Sequence, residues 1–133
     1  MWGFRWWAWD SKPLCPRQAL QRDLQLLRST CFHLLAMQGK PRGLRWVSLD
    51  WHDDWVVVRE SATNRWLALC PITVHFEAIE GSDMEGVEAV GLPRLATAVF
   101  VYDRGRWQAS QTVWFNLSPE EVIARAAGRY VRI

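Results

Sequence analysis

His75 and Glu77 stand two apart in the run Thr73-Val74-His75-Phe76-Glu77. On an extended strand that spacing puts the imidazole and the carboxylate on one face, with Val74 and Phe76 on the other. Side by side they could act as a general base and its orienter, or line a pocket. No Ser, Cys or Asp is tied to them by a recognisable motif, so a solvated sheet face, or a cross-strand polar pairing with Thr97 or Gln111, is the competing reading. A second concentration of chemistry is Trp51-His52-Asp53-Asp54-Trp55, an imidazole and two carboxylates between indoles. A metal needs three or four converging ligands, whereas neighbours on one strand point to opposite faces. The stretch therefore reads as a polar turn whose two Trp side chains cover the end of the core. The catalytic candidates are His75, Glu77, His52, Asp53 and Asp54, and none of them sits in a catalytic signature.

Two further groupings carry less. Cys31 and His33 are two apart on a helical pattern and diverge by about 200°, so they pack rather than ligate together. Gly81-Ser82-Asp83-Met84-Glu85-Gly86 offers oxygen donors but lacks the spacing and terminal Glu of a calcium loop, and reads as a connection between strands. These patterns call for no metal and no cofactor.

The chain opens on MWGFRWWAWD, in which five of ten residues are Trp or Phe. Written as a strand, Trp2, Phe4, Trp6 and Ala8 share one face while Gly3, Arg5, Trp7 and Trp9 share the other, so both faces are apolar. Each aromatic is worth a few kcal/mol when buried, at roughly 25 cal/mol per Å², so bare exposure of all five is unfavourable. The segment either folds back over the domain's own core or is covered by a protein partner or a second copy. A membrane surface or a nucleic acid is disfavoured, because Arg5 and Lys12 are too few cations for either. Trp2, Phe4, Arg5, Trp6, Trp7 and Trp9 are the expected interaction residues. Arg5 interrupts the apolar run and no small-residue cleavage site follows, so the segment does not read as a secretory signal.

Composition sets the frame. With 133 residues, half of them hydrophobic and 23% charged, the chain reads as a single domain with one core. A net charge of +2 names no polyanionic partner. The three cysteines, Cys15, Cys31 and Cys70, have neither even number nor metal-site spacing, which fits a reducing, cytoplasmic setting.

The elements that must hold these residues follow from periodicity. Leu20, Leu24, Leu27, Cys31 and Leu34 recur at helical steps and predict a helix over 16–38, entered at Pro16 and closed at Gly39. Leu26 and Met37 lie off that stripe beside His33 and predict a second, half-buried flank against the sheet or a partner. After Pro41 the period becomes two, predicting an antiparallel meander over 44–115 with runs at Leu44–Trp51, Trp55–Glu60, Arg65–Ile79, Val87–Val90, Leu95–Tyr102 and Trp107–Phe115. A two-residue loop at His52-Asp53 would pair Leu49 with Val56 and Val47 with Val58. Asp103-Arg104-Gly105 suits a three-residue hairpin loop with a bulge. Pro71 and Pro93 belong at bends or edges. Leu117-Ser118-Pro119-Glu120-Glu121-Val122 predicts a capped helix over 119–127, after which 129–133 could extend as a strand.

The expected fold is thus α+β: a long N-terminal amphipathic helix on a five- to six-stranded antiparallel meander, with a short C-terminal helix, in one domain over 1–133. Function is expected to be non-catalytic, through protein contact or homo-oligomer formation by Trp/Arg-rich surfaces and the aromatic segment 1–12. The alternative is an enzyme or small-molecule binder of the helix-gripped-sheet kind, with a pocket near His75 and Glu77.

Overall fold

The computed structural model describes residues 14–37 and 43–133. The aromatic segment 1–12, with its expected interaction residues, lies outside them. The elements run α1 (Pro16–Met37), β1 (Leu44–Trp51), β2 (Val56–Glu60), β3 (Trp66–Ala78), a 3-10 turn (Glu88–Gly91), β4 (Arg94–Asp103), β5 (Arg106–Phe115), α2 (Pro119–Ala126) and β6 (Tyr130–Arg132). All six strands join one antiparallel sheet in the order β5-β4-β3-β2-β6, with β1 also on β3. The α+β layout of long helix, antiparallel sheet and short closing helix is the expected one.

Alternation along β3 builds two cores. Ala68, Cys70, Ile72, Val74 and Phe76 point to the side covered by α1, where they meet Leu20, Leu27, Cys31 and Leu35. Leu67 and Leu69 point to the other side, where Val58, Val99 and Val122 close a smaller cluster under α2. The buried stripe of α1 ends on Leu35, with Leu34 only half-buried, because a step of four keeps closer to the stripe's centre at 3.6 residues per turn. Trp107 fixes the start of α1 by donating its indole N–H to the Pro16 carbonyl at 2.7 Å.

The edge formed by β1 and β2 departs from the expected hairpin. Leu49 pairs with Val74 and Val56 with Leu69, so β1 and β2 lie end to end along β3 and do not pair with each other. Reversal in two residues needs positive φ, and neither His52 nor Asp53 adopts it. The chain runs on through 52–55 as an interruption in the edge. Pro71 explains its position. Its carbonyl accepts from the His52 N–H at 3.1 Å, so its N–H-less nitrogen faces the same side, where the neighbouring strand is broken. A proline is therefore tolerated inside the longest strand.

Two other expectations are corrected. Asp103 pairs with Arg106, which leaves the two-residue loop Arg104-Gly105, both at positive φ, in place of a three-residue loop. Glu88–Gly91 is a 3-10 turn, not a strand over Val87–Val90. The start of α2 forms as its sequence dictates. The Ser118 hydroxyl accepts from Glu121 N–H at 3.3 Å while the Glu121 carboxylate accepts from Ser118 N–H at 3.0 Å. The helix stops at Ala126, with Ala127 left-handed at φ 50°, and β6 then pairs with β2.

Candidate functional site

The second face of the sheet is only partly roofed. α2 covers the end carrying Val58, Leu67, Leu69 and Val99, and beyond it the face continues into a polar strip shared by β1 and β3. There the register sets Arg45 opposite Glu77, Ser48 opposite His75 and Asp50 opposite Thr73. His75 Nε2 lies 2.7 Å from an Asp50 oxygen, His52 Nε2 lies 2.9 Å from the Thr73 hydroxyl, and Glu77 is in an ion pair with Arg45. Val74 and Phe76 are buried on the opposite face, as their alternation requires.

His75 and Glu77 do share a face, but each takes its own partner from β1, and the expected cross-strand pairings with Thr97 and Gln111 do not form. Thr97 is fully buried and donates to the Leu117 carbonyl at 2.8 Å. The carboxylate that orients the His75 ring is Asp50. A hairpin between β1 and β2 would have placed Asp50 away from β3, so sequence reasoning had no route to this pair. The resulting imidazole–carboxylate unit has one third of the His75 side chain and most of Asp50 open to solvent.

Asp53 leaves this strip altogether. It sits in the 52–55 interruption and accepts from the Arg28 guanidinium of α1 at 3.1 Å. Trp51 and Trp55 flank it, half-buried against the main core, where the chain continues along the edge and does not reverse in the expected polar turn. Asp54 is exposed.

Between α1 and β1 lies a shallow cleft of about 270 Å³, wide open to solvent and lined by Arg28, Ser29, Phe32, Val47, Leu49 and Trp51 among others. Arg28 is its cation. The guanidinium lies over the Trp51 ring, 5.5 Å from its centroid, with 23% of the side chain exposed. Val47 is 45% exposed at the cleft, next to the register shift between Trp46 and Ser48. A smaller space of about 170 Å³ lies between α1 and the β4–β5 turn, bordered by Arg22, Asp23, Leu26, Gly105 and Trp107. Neither cleft is lined by His75 or Glu77. Sequence reasoning passed over Arg28; the available signal was a lone cation one turn before Phe32, beside the apolar stripe.

Beneath this region Cys31 and Cys70 are buried, while Cys15 is exposed; all three are free thiols. Burial pushes the Cys31 thiol up to about 12 and the Cys70 thiol higher still, despite the opposing pull of nearby Arg28. Neither is a thiolate at neutral pH. Among the described residues no group of three or more His, Cys, Asp or Glu side chains is placed to hold a metal ion. In the 81–86 connection, Glu85 accepts from the Gly81 N–H and Ser82 donates to the Gly43 carbonyl. No described helix is long and apolar enough to cross a membrane.

Comparison with protein-family models, curated proteins and solved structures yields no match to this chain.

Proposed function

We propose that this chain is a non-catalytic interaction domain that binds a protein partner or a second copy of itself. The observation that carries the reading is the outer flank of α1, where Leu26 is 70% and Met37 73% exposed. Eleven residues at about 100° each bring these side chains to nearly the same side of the helix. Among the described residues this flank is not half-buried as expected, and we read it as the surface that a partner covers. Burying a side chain of this size is worth about 1.5–3 kcal/mol, enough for a pair to contribute materially to association.

The aromatic segment belongs to the same proposal. Trp and Arg are enriched among the residues that dominate protein contacts, Trp because its rigid ring offers large area for little lost rotamer freedom and Arg because its planar guanidinium makes several directed hydrogen bonds. Trp2, Phe4, Arg5, Trp6, Trp7 and Trp9 combine both types. Neither cleft is lined by His75 or Glu77, which favours binding through the α1 flank over chemistry at the polar strip. A reducing cytoplasmic setting is part of the reading, in line with the three free thiols.

Analytical ultracentrifugation and co-purification test the proposal on three chains: the full sequence, the chain lacking residues 1–12, and the Leu26→Glu/Met37→Glu double variant. The expected result is a full chain that sediments above the monomer mass or retains a partner, with that behaviour lost in at least one altered chain. A full chain that is monomeric and partner-free, sedimenting like both variants, overturns it.

A further inference from the structure

We infer that the cleft between α1 and β1 is a binding site for a carboxylate carried on an apolar body, with Arg28 as the anion anchor. The ligand is a small free acid or the apolar C-terminus of a peptide, which present the same chemistry. The site is separate from the interaction flank. Leu26 and Arg28 are two residues apart on α1 and so point about 200° from each other.

Charge selects a monoanion. Arg28 is the cation among the lining residues, and Asp53 already offsets part of its charge, so a doubly charged phosphate would be left under-compensated. The Asp53 carboxylate shows that the guanidinium accepts this type of group, yet 91% of that side chain is exposed. An ion pair so open to water contributes little and is readily displaced or shared.

Capacity and placement agree with this. A guanidinium offers five N–H donors. Arg28 makes one hydrogen bond among the described residues, through Nη2 to Asp53, and since its Nε is sealed from solvent the capacity a ligand can reach lies on the two terminal nitrogens. The Trp51 ring beneath the guanidinium holds the fork in place before any ligand arrives. Phe32, Val47 and Leu49 supply an apolar wall beside the charge. The volume of about 270 Å³ lies just under the usual range of ligand sites, about 300–1,000 Å³, and so suits a compact acid or a single terminal side chain.

Saturation-transfer NMR on the full chain tests the site with four probes: 3-phenylpropionate, the neutral 3-phenylpropan-1-ol, and an acetylated Gly-Ala-Val-Leu peptide as free acid and as amide. The acid should bind with a Kd between about 10 μM and 1 mM, at least tenfold tighter than the alcohol. Arg28→Met should abolish this preference. Asp53→Asn should tighten acid binding roughly threefold by removing a competing carboxylate. Ser29→Tyr, on the exposed rim of the helix, should block the cleft while leaving the melting temperature unchanged, and keeps the test decisive if Arg28→Met fails to fold. A free-acid peptide that outcompetes 3-phenylpropionate, with its amide silent, assigns the ligand to a chain terminus; the reverse order assigns it to a free acid. Equal binding of acid and alcohol, no binding of either acid at millimolar concentration, or Asp53→Asn that weakens binding overturns the inference. Because the readout is ligand binding, its failure leaves the oligomer test untouched.

Discussion

Individual side chains in this protein act mainly as ties between elements. Thr97 is the clearest case, a fully buried hydroxyl in β4 that donates to the Leu117 carbonyl just before α2. Replacing it with Val keeps the volume and strands that carbonyl. The expected cost is about 1–2 kcal/mol, seen as a lower urea midpoint with an unchanged slope. The same scale shows what was hidden in the sequence. The alternation of Val74, His75, Phe76 and Glu77 was legible, so the shared face of His75 and Glu77 was too. The partners were not, because Asp50 and Arg45 meet β3 only through long-range pairing that a local pattern does not encode. Arg28 was hidden for a related reason. Its neighbours in sequence are helix residues, while Trp51 and Asp53 arrive from β1 and the interruption after it.

Elements formed where local chemistry was sufficient. The Ser118/Glu121 box specifies the start of α2 by itself, and hydrogen bonds from Ser118 hold the Glu121 carboxyl below its ordinary 4.5. A carboxylate depressed in the folded state stabilises above its unfolded value, and that contribution fades as the pH falls through the lowered one. The stability difference between the native chain and Glu121→Gln, whose amide oxygen still accepts from Ser118, should therefore shrink between about pH 6 and pH 3. Melting curves across that interval check it; a constant difference excludes the box as a titrating contributor. The β4–β5 turn was legible in place but not in length, since the closing pair Asp103 and Arg106 decides the count. The first hairpin was not legible at all. Two apolar runs joined by a short polar link suggest reversal, and only the absence of a residue suited to positive φ at His52-Asp53 argued for continuation.

At the scale of the molecule, layer order follows from the amphipathic helix and the alternating strands, which is why the α+β layout could be read early. Sheet order could not, because β3 is flanked on one side by two consecutive strands instead of one. The main core seals Cys31 and Cys70, whereas Cys15 is exposed. Iodoacetamide on the native chain should label Cys15 at once and the other two only at the rate of global opening, with all three reacting in denaturant. Mass spectrometry of a labelling time course checks this, and rapid modification of Cys70 would mean the sheet opens under α1 more easily than its packing implies. The broken edge has a wider effect. Fibrils grow by templating, and a template must be straight and continuous to add molecule after molecule. Eight residues in β1, kinked near Val47, then a gap, then five in β2 already paired with β6 offer no such ribbon. On this side of the sheet the backbone is thereby kept out of runaway stacking, and recognition there is left to side chains.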